Sequence, residues 1–578
     1  MNNKRYIGVT LLTLVLFLGL GARLFYVTVI AKDEIFSKAQ NQIVREIIIP
    51  AKRGDILDRN GSLLASTTEA YRIDADLTTF RRLIESKGKT PESYAAPLAE
   101  ILGEETESIL EKLTSEHKGI IIKRKIEKDV IDRLRAYISE EGISFLLIGY
   151  DNIRYYPNNS FLSHVLGSVN VDGTGVMGLE YWYDETLRGV SGIKIAEVDK
   201  QNRELPYSAV IQTPAINGSD LTLTIDEKIQ YFIENLAEEA MEKHEADSVT
   251  MIVSDPRTGG VLGMVNLPDF DPNNPREDRT QEEFDAVTRN FAVNDSYEPG
   301  STFKIVTISS ALEEGLVDEH DHFNCPGYIM VNGVRVNCVN RSGHGDQSLQ
   351  DVLKNSCNVG TILIAQRLGE EKFNAYVDEY LFGQKTGIDL PGETTGIVFD
   401  KDDMKPIDLA TSSIGQAQTV SPVQMMNAIN TISNGGVMKP LHLAEQAVLE
   451  DVNGNLTVRA LDTAEENEVI RADTAERMLN LLYGVVGGND RSAAYIEDIP
   501  VYGKTGTAQK IITDENGNQR YSDDEFISSF IGGAPYTDPK ITVLVIVNNP
   551  KDAIYGNTVA APWAKEIFLE VEKYLPLN

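Results

Sequence analysis

Residues 298–307 read EPGSTFKIVT, a Pro-Gly loop signal that runs straight into an apolar stretch. Pro299 and Gly300 predict a turn, and Ser301 behind them predicts the start of a helix continued by Phe303, Ile305, Val306 and Ile308. Ser301 and Lys304 then share one helix face, and the amine can reach the hydroxyl as an activated serine nucleophile requires. Alone, the pattern is weak, because Ser86 and Lys89 repeat the spacing in the polar stretch SKGK.

Two further stretches give it meaning. In NSCNVG, Ser356 and Asn358 stand at the head of an apolar helical run; in VYGKTGTAQ, Lys504, Thr505 and Gly506 lie on a predicted strand. The order Ser-x-x-Lys, Ser-x-Asn, Lys-Thr-Gly is a signature set of penicillin-interacting serine enzymes. Lys385, Thr386 and Gly387 spell the third motif again within LFGQKTGIDLPGE, but that turn-rich passage offers no regular strand edge and is assigned a structural role.

The chain of 578 residues exceeds what one core holds, which predicts two or more soluble domains. Its 87 acidic and 54 basic residues give a net charge of -33, which argues against a nucleic-acid partner. Lys4 and Arg5 precede an uncharged run over residues 7–22, and Arg23 is followed by a further apolar stretch to Ala31. That length predicts a tilted transmembrane helix with Arg23 snorkelling and the N-terminus cytoplasmic. The apolar run is long and no small-x-small cleavage signal follows it cleanly, so an uncleaved anchor is preferred to a signal peptide.

Residues 1–31 are therefore read as a cytoplasmic stub and anchor, 32–225 as a mixed α+β pedestal, and 226–578 as an α/β domain. In the pedestal, REIIIPAKRGDILDRNGSLLA predicts a strand and a hairpin, and AAPLAEILG and VIDRLRAYISEEG predict helices. Near the boundary, residues 221–225 alternate as a strand and Asp226 caps a long amphipathic helix. SVTMIVSDPRTGGVLGMVN predicts a hairpin, and strands return in VYGKTGTAQK, FISSFIGGAP and ITVLVIVNNP, which predicts a mainly antiparallel sheet flanked by helices.

With these motifs in place, the chain resembles the class B penicillin-binding proteins, membrane-anchored monofunctional peptidoglycan DD-transpeptidases. RGDILDRNG, HVLG, GLE and LTID extend the resemblance over nearly the whole length, and SSFIGGAPYTDPK and AAPWAKEIF look most like the division and sporulation branch. By this reading the chain is expected to carry neither a glycosyltransferase region ahead of the pedestal nor the C-terminal repeats of some relatives. The resemblance implies an extracytoplasmic transpeptidase domain that cross-links pentapeptide stems during septal or spore wall synthesis and is acylated by β-lactams. It also implies a polytopic glycosyltransferase and other divisome or sporulation proteins as partners. It makes Ser301 the nucleophile on the penultimate D-Ala, Lys304 its base, Ser356 the proton relay to the leaving D-Ala, and Asn358 the group that orients Lys304 and binds the substrate amide. Lys504 keeps Lys304 neutral and attracts the terminal carboxylate, Thr505, Gly506 and Thr507 form the substrate-binding stretch with the two Thr hydroxyls offered to that carboxylate, and the N–H groups of Ser301 and Thr507 form an oxyanion hole. No cofactor is implied for catalysis.

Cys325, Cys338 and Cys357 fall close together with His344 between the last two. Three thiols and one imidazole match a structural zinc site in ligand type and number, although the spacing is not a standard close-pair one. His320 and His322 are alternative ligands. A Cys325–Cys338 disulfide with Cys357 free, and three reduced thiols, stay open. If Ser356 and Asn358 face a cleft, Cys357 is expected to point into the domain. DENGNQRYSDDE, residues 514–525, imitates a calcium loop but has Gln519 where the loop needs Gly, and is read as a solvated hairpin loop.

Other functions remain in view. A DD-carboxypeptidase or β-lactamase passes the acyl group to water and needs a positioned carboxylate that no motif marks. An elongation-type transpeptidase is a further alternative. A β-lactam sensor or inactive scaffold is disfavoured by three intact motifs, and about six residues before the anchor leave no room for a sensor's output domain.

Overall fold

The N-terminal apolar run forms α1 (Asn3–Phe25), prolonged by one π-helical turn over Tyr26–Ile30. The computed structural model describes residues 3–33, 44–197, 211–400, 403–451, 453–461, 465–488, 490–513 and 519–577. The segment Tyr6–Ile30 is long and apolar enough to cross a bilayer, and it is not buried against the rest of the chain.

The pedestal begins with β1 (Val44–Ile49), β2 (Ile56–Leu57) and β3 (Leu63–Asp76). The hairpin expected at Asn60-Gly61 joins β2 to β3, and Asp58 closes it by accepting from the N–H groups of Asn60 and Ser62. Asp76 ends β3 and caps α2 (Leu77–Lys87) by accepting from the N–H groups of Thr78 and Thr79. The chain continues through α3 (Glu92–Leu102), α4 (Thr106–Thr114), β4 (Gly119–Ile126), α5 (Lys128–Glu141) and β5 (Leu146–Tyr155). Tyr94, Leu98 and Leu102 recur at helical spacing on α3 and pack with Phe80 and Phe145 into the lobe's own core.

After β6 (Gly192–Glu197), β7 (Ile211–Thr213) and β8 (Asp220–Leu223), a buried ionic knot holds the pedestal's loops together. Glu180, fully buried, receives Arg53 Nε at 2.5 Å and Arg154 Nε at 2.6 Å, and Arg53 also reaches Asp184 at 2.6 Å. Replacing Glu180 by Ala leaves two guanidiniums buried and poorly compensated. The variant is expected to lose about 3–5 kcal/mol. A lowered denaturation midpoint for the full chain checks this, and an unchanged midpoint contradicts it.

Asp226 caps α6 (Glu227–His244) by accepting from Lys228 N–H, and Ile229, Ile233, Leu236 and Ala240 turn one stripe of the helix inward. That stripe lies on the central sheet, which starts with β9 (Ser248–Ser254) and β10 (Val261–Leu267). Between them and the sheet's last strands come α7 (Lys304–Glu313), β11 (His322–Cys325), β12 (Tyr328–Val331), β13 (Val334–Asn337), β14 (Gly345–Ser348) and α8 (Asn358–Glu379). They are followed by α9 (Pro422–Ser433), β15 (Ala444–Glu450), β16 (Leu456–Ala460) and α10 (Ala472–Gly487). The chain closes with β17 (Tyr502–Thr513), β18 (Gln519–Ala534), β19 (Ile541–Asn548) and α11 (Ala561–Val571).

The central sheet has the order β10-β9-β19-β18-β17, and every pair in it is antiparallel, as expected. In β19, Val543, Val545 and Val547 face a core with α6 and α11, while Leu544 and Ile546 face a core with α7 and α9. Helices on both faces explain why this strand reads as a continuous apolar run rather than an alternation. β17 is one of the sheet's two edge strands, β10 the other.

One pairing escapes the sequence reading. β15 pairs antiparallel with β8, so the second sheet, β16-β15-β8-β2-β3-β4 with β5 also on β3, draws strands from both sides of the boundary placed at residue 225. Pairing across such separation leaves no local mark in the sequence. The calcium-like loop is also affected, since its residues 514–518 lie outside the described residues; the flanking β17 and β18 pair up to Thr513 and Gln519.

Candidate active site

The Pro-Gly turn positions Ser301 differently from the predicted α-helical start. Gly300–Phe303 form a 3-10 turn, and the α-helix begins only at Lys304. Residues 304–312 of α7 are buried, so Lys304 is carried wholly into the interior. On the tighter turn the expected direct Ser301–Lys304 contact gives way to a bridge. Ser356 Oγ lies 2.7 Å from Ser301 Oγ and 3.3 Å from Lys304 Nζ. Lys304 Nζ also bonds Ser356 O at 2.7 Å and Asn358 Oδ1 at 2.8 Å.

The Ser-x-Asn segment sits between two helical pieces. Ser356 has φ of 51°, a left-handed conformation that side-chain-bearing residues seldom adopt. Cys357 then caps α8, its sulfur accepting from Gly360 N–H. This turn sends Ser356 and Asn358 toward the lysine and the buried Cys357 the other way, as expected. Asn358 Nδ2 donates to Asn337 O, which ties the motif to β13.

β17 lies against the nucleophile's turn. A Cβ on Gly506 would stand 2.9 Å from Pro299 O and 2.5 Å from Ser529 Oγ, so only glycine permits the strand to approach Ser301's turn this closely. Lys504 is buried, and its Nζ donates to Thr505 O at 3.0 Å. Thr507 Oγ1 accepts from Gly556 N–H. The second Lys-Thr-Gly lies elsewhere: Thr386 bonds Glu393 through its N–H and its hydroxyl, in a loop.

Burial sets the charges of both lysines, and for Lys304 the charge of Lys504 adds to it. Desolvation, then the positive charge of Lys504, pushes Lys304 down to about 7, with Cys357 and Cys338 pulling the other way. Desolvation pushes Lys504 down to about 8. Around neutral pH, Lys304 therefore has a substantial free-amine population.

Below the Ser-x-Asn turn, Cys325, Cys338, His344 and Cys357 converge with all four ligand atoms within 4.8 Å of one another. Pairing of Cys325 with Gly345 across β11 and β14 brings the first thiol beside His344, and the β12–β13 hairpin returns Cys338 to the same place. Cys338 Sγ is 3.7 Å from Cys357 Sγ and 3.6 Å from His344 Nδ1. Two thiolates bound at about 2.3 Å on a tetrahedral zinc stand roughly 3.8 Å apart, so the donor set fits that ion in kind and in spacing. The hydrogen bond shared with Cys357 holds Cys338 below the usual thiol range, whereas Cys357 itself is pushed up. None of the three cysteines is disulfide-bonded. His322, an alternative ligand by sequence, is exposed and pairs with Asp346 instead, and His320 is not in the group.

Sequence reasoning passed over several residues near the site. Glu298, buried three positions before Ser301, accepts from Ala417 N–H and the Tyr521 hydroxyl on Oε1, and its Oε2 has no partner among the described residues. Burial raises its pKa. A cavity of about 270 Å³ opens beside Ser356, lined among others by Thr505, Lys354, Asp490, Arg491 and Asn557. The Glu in EPGSTFK could have been noticed as an acid placed before an apolar helix; nothing local marks the others.

Residues 249–569 match the penicillin-binding protein transpeptidase domain, and residues 48–223 match the penicillin-binding protein dimerisation domain. The chain is 36% identical to stage V sporulation protein D of Bacillus subtilis, over 97% of this chain and 84% of that protein. It is 28% identical to the peptidoglycan D,D-transpeptidase FtsI of Escherichia coli, over 96% and 88% respectively. Among solved structures, penicillin-binding protein 3 of Mycobacterium tuberculosis complexed with ampicillin superposes with a TM-score of 0.68 at 26% identity, covering 92% of this chain and 97% of that one.

Proposed function

Since the chain belongs to the penicillin-binding proteins and is a peptidoglycan D,D-transpeptidase that cross-links stem peptides, we propose that Ser301 is its nucleophile, acting with Lys304, Ser356, Asn358 and Lys504. The observation that carries this assignment is the chain of close contacts from Ser301 Oγ through Ser356 Oγ to the buried Lys304 Nζ. A neutral Lys304 donates its two N–H groups to Ser356 O and Asn358 Oδ1 and turns its lone pair toward Ser356 Oγ.

Ser301 Oγ attacks the carbonyl carbon of the penultimate D-Ala. Its proton passes to Ser356 Oγ as the Ser356 proton passes to Lys304. N–H groups of Ser301 and Thr507 receive the oxyanion, a contribution of about 3 kcal/mol per donor. As the C–N bond breaks, the proton returns through Ser356 to the leaving D-Ala nitrogen. An amine from a neighbouring stem then attacks the ester, which releases Ser301 and leaves a cross-link. In a β-lactam the expelled nitrogen stays tethered, so the acyl-enzyme persists.

The N-terminal helix anchors residues 32–225, the pedestal, and 226–578, the transpeptidase domain, outside the membrane, with Lys4 and Arg5 on the cytoplasmic side. Likeness to stage V sporulation protein D supports a role in spore wall synthesis; septal wall synthesis and a polytopic glycosyltransferase partner complete this reading on the family resemblance alone.

The test is to give the full chain in detergent a pentapeptide stem and an amine-bearing acceptor stem. Cross-linked dimer equal to the D-Ala released is expected; D-Ala release without dimer would make the protein a carboxypeptidase.

Catalysis itself uses no metal, but a structural Zn²⁺ held by Cys325, Cys338, His344 and Cys357 fits the convergent donors. Its place is to fasten the β12–β13 hairpin to the turn that holds Ser356 and Asn358. The purified protein is expected to contain about one zinc per chain, and its removal by chelation to lower the melting temperature by several degrees. Metal-free protein with a Cys325–Cys338 disulfide contradicts this assignment.

A further inference from the structure

The cavity beside Ser356 is lined by Arg491 together with Thr505 and Asn557, and we propose that Arg491 is a specificity-determining residue whose guanidinium receives the terminal carboxylate of the D-Ala-D-Ala donor. This rests on the reading of Ser301 as nucleophile and of Ser356 as the group that returns the proton. For Ser356 to protonate the leaving nitrogen, the leaving D-Ala must lie on the Ser356 side of the scissile bond. Its carboxylate is one carbon away from that nitrogen, and the space on that side is this cavity.

An anion entering a protein with a net charge of -33 needs local cations. Three lysines are close, and each is engaged. Lys304 is bonded to Ser356 and Asn358, Lys504 is buried and donates to Thr505 O, and Lys354 stands 3.6 Å from Asp490. Arg491 forms no ion pair among the described residues, and its guanidinium lies 4.1 Å over the Tyr495 ring. No hydrogen bond among the described residues engages its N–H groups, which leaves them available for a two-pronged grip on a carboxylate.

The loop bearing Arg491 is held in register with β17. Ser492 Oγ and Ala493 N–H both donate to Asn557 Oδ1, and the neighbouring Gly556 N–H donates to Thr507 Oγ1. Arg491 is thus placed relative to the Lys-Thr-Gly strand by bonds that do not involve its own side chain.

Two thioester donors with the same N-acyl-D-alanyl group test the assignment: one whose leaving group ends in a carboxylate, and its uncharged methyl ester. In the full chain, Arg491→Gln is expected to lower kcat/KM for the charged donor about 10- to 100-fold and to leave the methyl ester within about twofold, with Arg491→Lys in between. The ratio of the two donors within one variant is insensitive to how much of it is folded. Equal losses on both donors, or no loss on the charged one, overturn the role of Arg491 alone. No acyl-enzyme on Ser301 in wild type with either donor removes the nucleophile assignment, and this proposal with it.

Discussion

Ser301→Ala is expected to abolish both D-Ala release and cross-linking, with a fall on the order of 10⁶-fold, as for serine nucleophiles that act within a proton-relay unit. The size follows from the arrangement. With Ser301 Oγ gone, the next hydroxyl along the relay, Ser356 Oγ, is locked between the backbone turn and Lys304, in a left-handed conformation that leaves it little freedom to replace the nucleophile. Ser301 is half-buried near the start of a 3-10 turn, so the methyl of alanine fits without strain and the fold is expected to keep its melting temperature. Activity without Ser301 on a folded variant would place the chemistry elsewhere.

Lys304→Met removes the base and is expected to slow acylation by about 10²- to 10⁴-fold, the usual worth of a positioned proton acceptor. The pH dependence gives this prediction its sign. Protonated Lys304 cannot accept, so wild-type acylation rises as pH increases through about 7. Lys504 must stay charged to keep Lys304 neutral and to favour the anionic donor, so the rate falls again as pH passes about 8. Burial sets the lower limb first, then Lys504, which also depresses Lys304, with Cys357 and Cys338 opposing both. In the methionine variant the rising limb is expected to disappear. A Met variant that keeps the same rising limb assigns that limb to another group.

The three motifs were legible because each is a short local pattern: a turn before a helix, a helix cap, a strand. The central sheet was legible for the same reason, its strands marked by β-prone runs between turns. What the motifs touch was less so. Ser356, rather than direct approach, links Ser301 to Lys304, because Gly300–Phe303 wind as a 3-10 turn, and spacing alone does not separate 3-10 from α. The cysteine cluster was readable as a ligand set, yet the choice of His344 over His322 depends on the pairing of β11 with β14, which turns His322 to solvent. Glu298 and Arg491 carried no motif at all. Each gains its place from residues far along the chain, Tyr521 for one and the Asn557 anchor for the other's loop. The junction near residue 225 was drawn from local composition, which cannot register β15 crossing to pair with β8.

The most direct test of the central claim is the intact mass of the full chain after incubation with a penicillin, followed by mapping of the modified peptide. A single adduct on Ser301 that is absent from Ser301→Ala and outlasts many catalytic cycles is predicted for a transpeptidase nucleophile whose leaving group stays tethered. An adduct on another residue, or none on folded wild type, would contradict the account.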